Sequence, residues 1–174
     1  MFSRQFDAAI AELRNAIEID PAFWFTHTFL GEAYVRKGAY PEAIAEMQRA
    51  LELEKDNAEI RCNLAYAYAV SGNKTEARKI LEYVKAPGNG YVAPYNIAIV
   101  YAGLGDKEQA IAWLQKAFQQ HSYYIGVVLT TDARLDPLRS DPRFAKIIKK
   151  VGFPIEEDRS LKRLGTQLTA PKGD

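Results

Sequence analysis

Residues 27–53 read HTFLGEAYVRKGAYPEAIAEMQRALEL, and this stretch decides the fold. Apolar residues recur at helical spacing on both sides of Gly38. A glycine between two such segments indicates the end of a helix, because glycine adopts the left-handed backbone conformation at little cost. The stretch therefore predicts two helices joined by a tight turn.

The same pattern returns 34 residues later and once more after a further 33. The matched positions are Leu30, Leu64 and Ile97; Gly31, Ala65 and Ala98; Tyr34, Tyr68 and Tyr101; Gly38, Gly72 and Gly105; Ala43, Ala77 and Ala110; Met47, Leu81 and Leu114; and Ala50, Val84 and Ala117. Small residues at fixed positions allow two helices to approach closely, and one hairpin alone cannot cover its apolar face. We therefore expect stacked hairpins with a continuous core and helices at about 22–37, 41–54, 57–71, 74–85, 92–104 and 107–120.

Upstream, residues 1–21 carry the pattern of a second helix without its first helix, so we expect this stretch to be half of a repeat. We expect the face with Phe6, Ile10 and Leu13 to lack a partner within the chain. One alternative is that this face pairs with a second copy, which would make the protein a self-assembly module.

Downstream, the pattern breaks after His121, and residues 123–129 predict a shortened first helix. Two Asp-Pro pairs follow, Asp136-Pro137 and Asp141-Pro142, and each predicts a helix N-cap followed by proline in the first turn. The helix after the second pair has Phe144, Ile147, Ile148 and Val151 on one face. We predict that it caps the array against Trp113 and Phe118.

Composition excludes several classes of protein. The chain has 174 residues, a formal net charge of +1 and one cysteine, Cys62. A charge near zero gives no overall attraction to nucleic acid or anionic membranes, and one cysteine forms no intramolecular disulfide. We predict no metal, no cofactor, no direct nucleic-acid or membrane partner, and a cytoplasmic location.

The pattern resembles the tetratricopeptide repeat (TPR), whose signature is W-x2-L-G-x2-Y followed by A-x3-F. The first full copy here has Leu30, Gly31 and Tyr34, then Ala43, with His27 at the Trp position and Met47 at the Phe position. The resemblance implies an all-α, right-handed α-solenoid superhelix of TPR helical hairpins with a C-terminal capping helix. Its parts are a half repeat at 1–21, repeats at 22–56, 57–90 and 91–122, a degenerate repeat with the capping helix at 123–153, and a polar tail at 154–174.

A narrower resemblance lies in YVAPYNIAIVYAGLGDKEQAIAWLQKAF (91–118) and ARLDPLRSDPRFAKIIKKVGFP (133–154). These stretches are similar to the C-terminal TPR module of bacterial signalling proteins, in which repeats follow a winged-helix, serine/threonine kinase or nucleotide cyclase domain. The resemblance implies a non-catalytic module that binds a peptide or protein segment in a larger regulatory protein.

In this family the first helix of each hairpin lines a concave surface. Helical phase selects the residues that we expect to face it: Phe25, Thr28, Phe29, Glu32, Arg36, Cys62, Asn63, Tyr66, Tyr95, Asn96 and Ile99. Aromatic rings there suit apolar side chains, and the amides suit the backbone of an extended peptide.

Three further interpretations stay open. Some TPR domains clamp a C-terminal carboxylate with lysines, but this chain lacks those lysines, and Glu32 and Glu59 would repel a carboxylate. Cys62 with the histidines raises the alternative of a thiol-dependent enzyme, against the simpler interpretation of a small half-buried residue. The lysines at 146–150 are typical of the exposed face of a capping helix, with nucleic-acid or membrane binding as the alternative.

Overall fold

The computed structural model describes residues 3–120 and 129–151, with side chains from residue 5 onward. Within these two ranges the regular structure is entirely helical. The elements are α1 (Ser3–Ile19), α2 (Trp24–Lys37), α3 (Tyr40–Leu53), α4 (Ala58–Val70), α5 (Lys74–Lys85), α6 (Pro94–Leu104), α7 (Lys107–Gln119), a 3-10 helix (Ala133–Leu138) and α8 (Pro142–Val151). Residues 129–131 are also helical. The all-α class predicted from the repeats is confirmed, and the predicted helix bounds agree with the observed bounds within two residues.

Helices α2 to α7 form three hairpins that stack side by side as an α-solenoid. Each first helix packs against its own second helix, and α4 also packs against α3 and α6. The apolar core is continuous, because partly buried side chains link one cluster to the next. Val35 packs against both clusters at the N-terminal end, and Tyr101 packs against both clusters at the C-terminal end.

The turns form where the repeated glycines predict them. Gly38 and Gly105 both have φ of +80° and end α2 and α6, and their N–H groups donate to carbonyl oxygens of the preceding turn. Asparagine or aspartate begins α4, α5 and α7: the side chains of Asn57, Asn73 and Asp106 accept hydrogen bonds from backbone N–H groups of the first turn. These caps satisfy donors that the helix itself leaves free.

Gly31 lies where α2 approaches α3 most closely. A Cβ atom built on Gly31 would lie 2.8 Å from Met47 Cγ and 3.1 Å from the backbone oxygen of Ala43. The small residue predicted at this position is therefore required by close helix packing.

We expect Gly31→Ala to lower the free energy of unfolding by about 1–3 kcal/mol, because the new methyl group overpacks the contact with Met47. Urea denaturation measures the change. The Met47→Ala substitution serves as the control in a double-variant cycle, and its cost should be smaller in the Gly31→Ala background than in the wild type. A neutral Gly31→Ala, or two strictly additive substitutions, would contradict the proposed contact.

The C-terminal end is closed by α8, as predicted. Phe144, Ile147 and Ile148 are buried in one cluster with Leu114, and Trp113, Phe118 and Val151 pack against its edge. Asp141 caps α8, because its Oδ1 accepts a hydrogen bond of 2.9 Å from the N–H of Arg143.

The prediction for the other Asp-Pro pair is wrong. Pro137 lies inside the 3-10 helix, and the N-cap of that helix is Asp132, whose side chain accepts from the N–H of Arg134. Asp136 instead pairs with Arg139 at 2.6 Å. Pro137 has no N–H to donate, and the hydrogen bonds of this turn are made by the N–H groups of Leu135 and Arg139, which donate to the carbonyl oxygens of Asp132 and Asp136. The expectations for His121, for residues 123–128 and for the tail at 154–174 lie outside the described residues.

The N-terminal end is more fully covered than the sequence suggests. Ile10 is only 6% exposed, and it lies in one cluster with Leu30 and Tyr34 of α2, while Leu13 packs partly against that cluster. The prediction that Ile10 belongs to an uncovered face is therefore wrong. His27 is buried, as expected of a packing histidine: its Nδ1 lies 2.7 Å from Glu46 Oε2, and its Nε2 lies 3.2 Å from the Pro21 carbonyl oxygen.

Candidate functional site

A cavity of about 390 Å³ opens between the N-terminal halves of α2, α4 and α6. Its lining residues are Trp24, Phe25, Thr28, Phe29, Glu32, Glu59, Ile60, Ala93, Tyr95, Asn96 and Arg134. We call it the concave groove. The three first helices meet here because successive hairpins stack in the same orientation, which places equivalent turns of each first helix side by side.

One wall of the groove is an exposed aromatic cluster. Phe25 and Phe29 are each 43% exposed, and their rings meet edge to face with centroids 4.5 Å apart. Trp24 meets Phe25 at 5.2 Å, also edge to face. Phe25 and Phe29 stand four residues apart on one face of α2, and Trp24 lies beside Phe25, so the helix sets the arrangement of the rings. Rigid aromatic rings that remain exposed are typical of binding surfaces.

Other lining residues of the groove are polar. Glu59 is exposed at the first turn of α4, and Asn96 is half-buried at the first turn of α6. Thr28 is buried, and its hydroxyl donates to the carbonyl oxygen of Trp24 at 3.1 Å. The groove thus combines apolar rings with a carboxylate and an amide.

The groove is bordered by a partly buried ionic network around Arg134. Its guanidinium donates to Asp132, with Nη2 lying 2.7 Å from Oδ2 and Nε 3.0 Å from Oδ1. Nη1 donates to Asn63 Oδ1 at 2.8 Å and lies 3.7 Å from Glu32 Oε1. Tyr95 donates its hydroxyl proton to Asp132 Oδ2 at 2.5 Å. The network joins the 3-10 helix to all three first helices.

Burial and charge change the acidities in this network. Burial alone would raise the pKa of Asp132, but the hydrogen bonds and charge of Arg134 outweigh it, so the pKa is lowered. Burial raises the pKa of Glu32, with the charge of Arg134 opposing that rise and the charge of Asp132 adding to it. Burial and the charge of Asp132 raise the pKa of the Tyr95 hydroxyl, which therefore keeps its proton and donates.

The structure brings together six of the residues predicted to face the concave surface: Phe25, Thr28, Phe29, Glu32, Tyr95 and Asn96. For two other residues the prediction that they face the groove is wrong. Cys62 is 1% exposed and Ile99 is 2% exposed, and both lie in the apolar core. Burial, with the charge of Glu59, raises the pKa of the Cys62 thiol to about 12. Since the thiolate is the nucleophile, Cys62 is unsuited to the alternative of a thiol-dependent enzyme.

The remaining three predicted residues, Arg36, Asn63 and Tyr66, are not among the lining residues of the concave groove. They line a small cavity of about 20 Å³ together with Val35 and Met47. Asn63 is buried, and its amide is already used: it donates to Glu32 Oε1 at 3.1 Å and accepts from Arg134. The expectation that Asn63 holds a ligand's backbone is therefore wrong.

Sequence reasoning missed Arg134, Asp132 and Trp24. Asp132 and Arg134 follow the break in the repeat pattern, where helical phase no longer assigns a face. The local signal for them is the aspartate two residues before the arginine. An aspartate commonly accepts a hydrogen bond from the backbone N–H two residues later, which here belongs to Arg134. Trp24 stands at the very start of α2, where one turn of sequence gives too little periodicity to assign its direction.

A metal site needs several ligating side chains close together. No group of three or more His, Cys, Asp or Glu side chains at residues 3–120 and 129–151 has that arrangement. None of the helices described there is long and apolar enough to cross a membrane.

Comparison with known proteins identifies the repeats. Residues 31–72 match a family model described as TPR repeat, and residues 95–119 match one described as tetratricopeptide repeat. The chain is 35% identical over 103 residues to the TPR repeat-containing thioredoxin TTL4 of Arabidopsis thaliana, covering 59% of this chain and 14% of that protein. It is 30% identical over 91 residues to the protein O-mannosyl-transferase TMTC1 of Homo sapiens, covering 52% of this chain and 10% of that protein.

The chain thus spans a seventh or less of the length of these two relatives. Among solved structures, a crystal structure of MamA is similar over 95% of this chain and 92% of that chain, with 22% identity and a TM-score of 0.47. Both family models describe the same repeat that the hairpins and their glycine turns display. The chain contains tetratricopeptide repeats, a fold that generally mediates protein–protein interaction.

Proposed function

We propose that this array of tetratricopeptide repeats is a non-catalytic module that binds a segment of another protein in the concave groove. The observation that carries the proposal is the pair Phe25 and Phe29, which stay 43% exposed on the wall of a 390 Å³ cavity. Exposed rings at a concave surface gain free energy when an apolar side chain covers them.

The charges of the groove favour a ligand with apolar and basic character. Two carboxylates, Glu32 and Glu59, line the groove against one cation, Arg134. Arg134 is already engaged by Asp132 and Asn63. Glu59 is exposed on the rim, where it is free to pair with a lysine or arginine of a ligand. We therefore propose an extended segment that places an apolar side chain on the aromatic cluster and a cation beside Glu59.

We expect Phe29→Ala to weaken binding of such a segment about 30-fold, because truncation of a central interface aromatic costs about 2 kcal/mol. The probes are peptides selected from a random displayed library against the purified chain. Fluorescence anisotropy of the selected peptides then gives Kd for the wild type and the variant.

Tyr91→Ala is the matched control, because Tyr91 is 77% exposed and lies outside the lining of the concave groove. It should leave Kd unchanged. If the selected peptides bind the wild type and Phe29→Ala equally well, they bind outside the aromatic cluster, which would contradict the proposal. A second check is Glu59→Gln, which should weaken only those peptides that carry a lysine or arginine.

The larger setting is also a proposal. The likeness of residues 91–118 and 133–154 to modules of bacterial signalling proteins supports a place in a larger bacterial regulatory protein. A full-length coding sequence with a kinase, cyclase or winged-helix domain next to the repeats would support it, and one with none of these domains would count against it.

A further inference from the structure

We propose that the concave surface contains a guanidinium-binding site, formed by Glu32, Asn63 and Asp132, which the chain fills with its own Arg134. The 3-10 helix thus supplies the guanidinium and, through its N-cap Asp132, one of the acceptors, while the first helices supply Glu32 and Asn63. The class of ligand that this site recognises is the side chain of arginine.

The acceptors around Arg134 match the shape of a guanidinium. Asp132 accepts hydrogen bonds from both Nε and Nη2 of Arg134. A carboxylate makes this bidentate contact with arginine and not with lysine. Nη1 donates a hydrogen bond to Asn63, which belongs to α4 and lies 71 residues away along the chain. Acceptors from two separate parts of the chain therefore converge on one planar group.

The surroundings hold these acceptors in place. The Tyr95 hydroxyl orients Asp132, and Glu32 accepts from the Asn63 amide, which leaves the Asn63 oxygen free to face Arg134. The Tyr66 ring lies beside the guanidinium, 6.0 Å from its central carbon. Gly103 also packs closely against the Tyr66 ring: a Cβ atom built on Gly103 would lie 2.8 Å from Tyr66 Cδ2. Among the described residues, every buried side-chain nitrogen and oxygen has a partner.

Arg134 lies between the residues of two cavities on the concave surface. It lines the open cavity of about 390 Å³ and also the cavity of about 20 Å³ that Arg36 and Tyr66 line, and Glu32 lines both as well. An arginine of a segment bound in the open cavity is the side chain with the chemistry to replace Arg134.

The test is chemical rescue. In Arg134→Gly the acceptors remain and the guanidinium is gone. We expect about 10 mM methylguanidinium to raise the thermal midpoint of Arg134→Gly by about 3 °C relative to the same concentration of methylammonium. The wild type, whose site is filled, should show no difference between the two salts. An equal effect of both salts on Arg134→Gly, or an equal methylguanidinium effect on the wild type, would overturn the proposal.

A second measurement covers the case in which Arg134→Gly does not fold. In the wild type, nitrogen-15 NMR should show an Arg134 Nε–H signal that persists against solvent exchange, identified by its loss in Arg134→Lys. A signal that exchanges as fast as that of the exposed Arg49 would overturn the proposal. Neither measurement involves a peptide in the concave groove, so failure here is distinguishable from failure of the Phe29→Ala experiment.

Discussion

Arg134→Met should lower the free energy of unfolding at neutral pH by about 3–5 kcal/mol, because it leaves the buried Asp132 carboxylate without its cation. The side chain of Asp132 is 6% exposed, and among the described residues it would keep the Tyr95 hydroxyl and the N–H of residue 134 as donors. Urea denaturation followed by circular dichroism measures the loss. Methionine keeps much of the length of the side chain, so the change tests charge and hydrogen bonding more than volume.

Arg49→Met is the matched control. The side chain of Arg49 is 51% exposed and pairs with Glu52 on the same helix at 2.9 Å. An exposed pair of this kind contributes under about 1 kcal/mol. The double variant Asp132→Asn with Arg134→Met should recover part of the loss, because asparagine keeps the N-cap and removes the buried charge. If Arg134→Met costs no more than Arg49→Met, the network does not stabilise the fold.

The deficit of Arg134→Met should also depend on pH. In the wild type the folded-state pKa of Asp132 is lowered, so this group stabilises the fold above its unfolded pKa and loses that effect as pH falls through the folded value. In the variant, burial without the cation should raise the pKa of the same carboxyl, and protonation then relieves the cost. The gap between the two proteins should therefore narrow from pH 7 to about pH 4.5. A gap that stays constant over this range would contradict the electrostatic origin.

Phe144→Ala should cost about 3–5 kcal/mol, because it removes a fully buried ring from the interface of α8 with the last hairpin. Phe144 is 1% exposed, and its cluster contains Leu114 and Leu138. Lys149→Ala on the exposed face of the same helix is the control, and it should change stability by no more than about 0.5 kcal/mol.

The region that Phe144→Ala destabilises is as informative as the size of the loss in the free energy of unfolding. In a stacked array each hairpin contacts mainly its neighbours, so loss of the cap should act first on α6 and α7. Hydrogen exchange should accelerate more in α6 and α7 than in α2 and α3. Equal acceleration in all hairpins would show that α8 stabilises the whole array and is not a local cap.

Most of the fold could be predicted from the sequence, because the decisive signals are local and repeated. The glycine at position 38 recurs at 72 and 105, and each has positive φ. The face of α8 follows from spacing alone. The repeat predicts Gly31 as a point of close approach, and a Cβ atom there would lie only 2.8 Å from Met47 Cγ, which agrees with that prediction.

The groove could be predicted less well, for two physical reasons. Helical phase gives the direction of a side chain but not what covers it, and α4 is covered by both α3 and α6, so Cys62 is part of the core. The partners of Asn63 include a segment without repeat periodicity, and no local pattern places that segment over α4. An Asn63→Ala variant is accordingly no clean test of binding, since it would leave Arg134 and Glu32 short of a hydrogen-bond partner.

The bond between Arg134 and Asn63 also bears on the order in which the chain folds. Most contacts of stacked hairpins join residues close in sequence, and such contacts form early because they close short loops. The contact with Asp132 is local, but the contact with Asn63 joins residues 71 positions apart, so we expect it to form only after the intervening hairpins are assembled. An interaction that forms after the transition state slows unfolding without accelerating folding. We therefore expect the bond between Arg134 and Asn63 to prolong the lifetime of the folded array, and with it the time for which the concave groove stays intact.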